Sequence, residues 1–313
     1  MQAPPIKRII AVSDGRAANR RQADALARAL GQITGFPVET VDLPLRGALA
    51  QAVSAWTGLG DFGVPRGVDT LVIGAGRAGN LAAAWARRGG ATAVAVLRPP
   101  LPGLRFDAIV VPEHDGISGP AVLTTRGAMH GISEDDIADG ARGLRPLPTP
   151  VAAVLVGGPS DSARFGAEEE ADLLADIGRL AGSHSLRITA SRRTSSTLVE
   201  TLRTKFPQSD VWAGPEDGPN PYPGLLAADL ILVTADSVSM LSEALGTGRP
   251  VAVTALGAAG PKQRALIESL SDRLSHLEEG RIVEGYAPLR EAERIAALLV
   301  QRRIVPAGVP GGA

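Results

Sequence analysis

Short, nearly unbroken apolar runs alternate with Ala-, Leu- and Arg-rich stretches along this 313-residue chain. This pattern constrains the fold more than any other feature of the sequence. A run such as Leu230-Ile231-Leu232-Val233 has no polar face, so as a strand it must be covered on both sides. Strands of that kind belong to parallel sheets, and the segments between them supply the crossover helices. Strands are expected at 6–12, 37–43, 69–74, 91–97 and 107–112, with helices near 20–31, 77–88 and 134–143. The alternation then restarts, with strands at 151–157, 185–190, 229–234 and 250–254 and helices at 167–182, 195–205, 237–246 and 262–272.

Between the two series lies Arg145-Pro146-Leu147-Pro148-Thr149-Pro150, too proline-rich for a central strand or a helix interior. Residues 146–150 therefore read as a linker. The expected architecture is α/β: two Rossmann-like doubly wound parallel-sheet domains, 1–145 and 151–285, facing a cleft that is the default ligand site. Residues 286–303 read as a last helix packing back toward the first domain, and 304–313 as a tail.

Composition narrows the functional classes. With no cysteine, disulfides, thiolate metal sites and cysteine nucleophiles are excluded. Four histidines argue against a His-rich metal centre, and a net charge of −1 lacks the basic excess of a nucleic-acid binder. No apolar run approaches the ~18 residues of a membrane span. The first dozen residues lack a signal-peptide pattern, so a cytoplasmic location is expected, with peripheral membrane association left open. Of 32 basic residues only Lys7, Lys205 and Lys262 are not arginine, so any single Arg needs local support.

The loops after the strands carry the candidate chemistry. After the strand ending at Thr234, Ala235-Asp236-Ser237 reads as a strand-to-helix turn with Asp236 or Ser237 as N-cap. The N–H groups of Ser237, Val238 and Ser239 would then stand at a helix N-terminus, where anions are stabilised. Glu243 lies one turn beyond Ser239 on the same face; it either accepts bonds from ribose hydroxyls or is the solvated Glu of an ordinary capped helix. Ser191-Arg192-Arg193-Thr194 follows another strand; paired guanidinium forks there suit phosphate, the alternative being a surface Arg pair in an Arg-rich chain. Gly157-Gly158-Pro159-Ser160 is either a close approach to a ligand or a plain turn. Tyr222, in the rigid turn Asn220-Pro221-Tyr222-Pro223, either stacks on a base or packs. In the first half, Asp14, His114 and Asp115 are candidates for a general base, with a hinge-fixing role as the alternative for His114. Gly74, Gly76 and Gly79 have dinucleotide-fingerprint spacing, but no acidic residue follows at the required distance, so a glycine-lined edge is the expected reading.

The segment Ser242-Glu243-Ala244-Leu245-Gly246-Thr247-Gly248-Arg249-Pro250-Val251 resembles the donor-site helix of GT-B glycosyltransferases. The longer stretch 220–251, with Asp14-Gly15-Arg16, Val111-Pro112-Glu113-His114-Asp115 and Tyr286-Ala287-Pro288-Leu289, resembles the mitochondrial fission ELM (elongated mitochondria) family in its bacterial form. That resemblance implies a GT-B-like fold. It implies a nucleotide-diphosphate sugar held by Gly158, Ser160, Ser191, Arg192, Arg193, Thr194, Asn220, Tyr222, Asp236, Ser237, Ser239, Met240 and Glu243. A metal-independent glycosyltransferase without cofactor is the leading expectation. The alternatives are a nucleoside-diphosphate-sugar epimerase on the same fold and a non-catalytic scaffold with a protein partner.

Overall fold

The computed structural model describes residues 6–43, 48–160 and 163–307. The chain forms two compact units. One runs to Gly131 and takes up the chain again from Arg290, and the other spans Ile132–Leu289.

The first unit holds a six-stranded parallel sheet: β1 (Arg8–Ser13), β2 (Val38–Asp42), β3 (Thr70–Ala75), β4 (Thr92–Val96), β5 (Ala108–Pro112) and β6 (Val122–Thr125), in the order β2-β1-β3-β4-β5-β6. Alternate residues of each strand serve opposite cores. Ile9, Leu71, Ile73 and Val94 pack with Leu26 and Leu30 of α1 (Ala17–Thr34) and with Ile295 and Leu299 of α10 (Glu291–Gln301). Ile10, Val12, Val72 and Ala93 pack with Leu81 and Trp85 of α3 (Gly76–Arg88). Both faces of the central strands are covered, which is why they read as continuous apolar runs, whereas the edge strand β2 is largely exposed. The glycine spacing at 74–79 has a packing cause. A Cβ on Gly79 would overlap the Val12 carbonyl, and one on Gly74 would overlap the Gly79 carbonyl. Those glycines let α3 lie directly on β1 and β3.

The second unit repeats the plan. Its strands are β7 (Val151–Val156), β8 (Ser185–Ala190), β9 (Asp210–Trp212), β10 (Leu230–Thr234), β11 (Val251–Thr254) and β12 (Leu274–Ser275), all parallel, in the order β12-β11-β10-β7-β8-β9. Leu155, Ile231 and Val233 face α8 (Val238–Leu245) and α9 (Pro261–Ser269), while Val154, Ile188 and Leu232 face α5 (Ala167–Ala181) and α6 (Ser196–Lys205).

Several elements depart from the sequence reading. Helix α4 (Glu134–Arg142) packs on the single-turn α7 (Tyr222–Leu225), where a Cβ on Gly140 would lie 2.5 Å from the Gly224 nitrogen. That contact places residues 132–145 in the second unit, so the unit boundary falls at Gly131 rather than at the proline run. The last helix belongs to the first unit, against α1, and begins at Glu291 rather than 286. Helix α2 (Ala48–Thr57) and the short strands β6, β9 and β12 carry no long apolar run and were not expected. No helix among the described residues is long and apolar enough to cross a membrane.

Candidate functional site

In the second sheet β7, the earliest strand of its unit, lies between β8 and β10. The chain leaves β7 toward one edge and returns on its other side, so the loops after β7 and β10 diverge. Open parallel sheets bind ligands at the carboxyl ends of strands at such a switch point. The three loops that meet here are 157–160 after β7, 191–195 after β8 and 235–237 after β10.

Short hydrogen bonds join them. The Thr194 hydroxyl donates to the Gly157 carbonyl (2.6 Å) and accepts from the Ser191 N–H (2.9 Å). The Arg193 N–H donates to Ser191 Oγ (3.2 Å). The Gly157 N–H donates to Thr234 Oγ1 (2.8 Å), a buried threonine that closes β10. The Gly158 N–H donates to Asp236 Oδ2 (3.1 Å), and Arg193 Nη2 lies 2.8 Å from the same oxygen. Arg193 Nη1 donates to the Gly158 carbonyl. The Asp236 side chain has 0% exposure against 36% for Arg193, so the arginine covers and neutralises a carboxylate taken wholly out of water. Asp236 Oδ1 is buried with no partner among the described residues. A Cβ on Gly157 would overlap the Asp236 carboxylate, and one on Gly158 the Arg193 carbonyl, so both positions require glycine.

The α8 end of the site is built separately. Ser237 is the N-cap, its Oγ accepting from the Met240 N–H (3.3 Å), while Asp236 turns inward to Arg193. Val238 and Ser239 are first-turn residues, so their N–H groups have no acceptor within the helix. Residues 237–240 are half-buried. Glu243 on the same helix is only 4% exposed, and the Tyr222 hydroxyl donates to its carboxylate. The Tyr222 N–H is held by Asn220 Oδ1 at 3.0 Å, so Tyr222 both packs and bonds rather than standing free for a base.

The structure therefore brings Gly158, Ser191, Arg193, Thr194 and Asp236 into one cluster, with Ser237, Ser239 and Met240 following directly on α8. The remaining loop residues are placed as follows. Arg193 acts as a strut between loops, its terminal nitrogens serving Asp236 and Gly158. Arg192 is exposed. Ser160 is exposed and pairs with Ala163 in an isolated antiparallel bridge, its N–H donating at 2.9 Å. Thr234 was missed, although a polar residue ending an apolar strand at a loop junction is a readable signal.

In the first unit, Asp14 caps its own loop, accepting from Asn19 Nδ2 (2.9 Å) and the Arg16 N–H (3.3 Å). His114 and Asp115 lie in the single 3-10 turn Glu113–Asp115 after β5. Strand β5 is three places from β1, about 14 Å at ~4.8 Å per strand, so these candidates do not form one constellation with Asp14.

Comparison with known proteins agrees with this architecture. The family model for mitochondrial fission ELM1 matches residues 17–303. The Arabidopsis thaliana mitochondrial fission protein ELM1 is 30% identical over 244 residues, covering 65% of this chain and 56% of that protein. This chain thus spans little more than half of that relative's length. Among solved structures, the S. aureus MnaA–UDP co-structure superposes with a TM-score of 0.51 at 14% identity, covering 98% of this chain and 100% of that one. The Neisseria meningitidis UDP-GlcNAc 2-epimerase bound to UDP-GlcNAc gives 0.50 at 14% identity, covering 94% and 100%. At such identities the likeness is one of fold, a GT-B-like pair of doubly wound α/β units. The match over residues 17–303 shows the family: the chain belongs to the mitochondrial fission ELM1 family.

Proposed function

We propose that the second unit binds a nucleoside-diphosphate sugar and that the protein is a metal-independent, GT-B-like glycosyltransferase. The observation that carries this reading is the first turn of α8, which opens at the switch point beside the Gly157–Ser160 and Ser191–Thr194 loops. The N–H groups of Val238 and Ser239, reinforced by the helix dipole, take the diphosphate, and the exposed Arg192 supplies the fork. Glu243, oriented by Tyr222, accepts from the ribose hydroxyls. The solved neighbours bound to UDP and UDP-GlcNAc support this ligand class. When the sugar leaves, negative charge grows on the diphosphate, and donors already in place stabilise it without a metal. A general base then deprotonates the acceptor, a role for Asp14 or for the His114–Asp115 pair but not for both together.

The fold neighbour that is a UDP-GlcNAc 2-epimerase favours a second reading, the same ligand with epimerisation in place of transfer. Product analysis separates the two: free nucleoside diphosphate with a glycosylated acceptor, or an isomerised sugar. Binding itself is tested by thermal shift with nucleoside diphosphates and their sugars. At a hundredfold excess over Kd, a ligand adds about 2.7 kcal/mol, an upward shift of about 5–10 °C. Glu243→Ala should shrink that shift. No shift with any nucleotide at millimolar concentration overturns the reading and leaves a scaffold role.

A further inference from the structure

A separate cavity of about 410 Å³ lies within the second unit, bounded by α5, the end of β11 and the segment 274–279. It shares no residue with the candidate nucleotide site. Its rim is acidic. Asp172, Asp176, Glu278 and Glu279 line it, with Arg179 among the lining residues and Arg281 Nε 3.8 Å from Glu279. Arg179 is already committed, with Nη1 2.6 Å from Asp176 and Nη2 3.1 Å from Glu278. Asp172 is exposed and unpaired among the described residues.

Two buried polar atoms in the wall are independent of this rim. Thr254 is 2% exposed, and its hydroxyl oxygen has no partner among the described residues. Alternation along β11 puts its side chain on the same face as Ala252, which packs in the core beneath α5, and α5 supplies the acidic rim. His276 Nε2, also in the wall, is buried and unpartnered. Leaving such buried atoms unsatisfied is costly, so a site that retains them calls for a partner.

We propose that this cavity binds a small organic cation carrying primary ammonium groups. Carboxylates, a hydroxyl oxygen and an imidazole nitrogen can all accept hydrogen bonds, and an ammonium only donates them. The rim supplies the opposite charge, while Ala175, Ala255 and Leu277 give a short alkyl chain an apolar wall. The same groups do not suit a metal ion. Among the described residues no three His, Asp or Glu side chains stand close enough together to hold one. The inference is independent of the nucleotide reading and survives its failure.

Calorimetric titration of the full chain with putrescine and spermidine at low salt tests it, with 1,4-butanediol and glutarate as the neutral and anionic controls. The expected result is saturable binding of the amines alone, weakened by salt. Asp172→Asn with Glu279→Gln, both at exposed positions, should lower affinity at least about tenfold, or about 1.4 kcal/mol. Thr254→Val should lower it about fivefold while leaving the melting temperature of the unliganded protein unchanged or higher. Three results each overturn the proposal: no saturable heat from either amine at millimolar concentration, equal binding of the diol, or wild-type affinity retained in both variants.

Discussion

Replacing Arg193 by alanine separates two roles that the sequence alone confounds. In the structure its guanidinium lies 2.8 Å from a carboxylate with no solvent exposure. Removing one partner of a fully buried pair costs about 3–5 kcal/mol, because the other charge is left uncompensated. Arg193 is itself 36% exposed, so water can reach the vacated space and reduce the penalty to about 2–3 kcal/mol. Asp236 keeps one donor, the Gly158 N–H at 3.1 Å. For a unit of this size the expected loss is about 4–12 °C in melting temperature. Asp236→Asn in the same background removes the stranded charge and should recover at least about 1 kcal/mol. Urea unfolding of the wild type, both single variants and the double variant gives the coupling directly. If Arg193→Ala unfolds within about 0.5 kcal/mol of the wild type, or the two changes add without coupling, the strut assignment fails and Arg193 returns as a ligand for phosphate.

The other expectations test neighbouring parts of the same unit. Gly158→Ala drives a Cβ into the Arg193 carbonyl and should cost more than about 2 kcal/mol in urea unfolding, whereas a neutral result would mean the loop relaxes freely. Ser133→Ala removes the hydroxyl that accepts from the Asp136 N–H in the α4 capping box, while the Ser133 N–H bond to Asp136 remains, and should lower stability by about 1 kcal/mol, seen as a melting point reduced by about 2–4 °C. Burial raises the Tyr286 hydroxyl well above its ordinary value of 10, while its proton is held by the Arg249 carbonyl. The unfolded chain therefore ionises first, and stability should fall as pH rises past about 10. Tyr286→Phe should flatten that part of the profile, and an unchanged slope would refute the assignment.

Most of the scaffold was legible because parallel strands buried on both faces leave an unmistakable apolar signature. Each long run, from Ile9–Val12 to Val251–Val253, became a strand. The elements that were missed lack that signature for a physical reason. Strands β9 and β12 are edge segments of three and two residues, too short to show a period. The unit boundary was misplaced because a close glycine contact, Gly140 on Gly224, fixes α4 to the second unit, and no local pattern announces a contact between residues so far apart. At the site, residue types and loop positions were readable. The fate of each donor was not, since a phosphate-binding arginine and a strut arginine look alike until a buried partner such as Asp236 is seen. Ser237 and Asp236 posed the same problem: both suit an N-cap, and only the pull of Arg193 on Asp236 decides between them.

The claim at the centre of this account is that the first turn of α8 receives a diphosphate. Its most direct test follows the backbone amide resonances of Val238, Ser239 and Gly158 while the nucleoside diphosphate that gives the largest thermal shift is titrated in. The expected result is a saturable movement of Val238 and Ser239, with Gly158 following and the adenosine- or uridine-type nucleoside without phosphates producing none. Amides of α8 that stay fixed at saturation, or that move equally with the bare nucleoside, would contradict it.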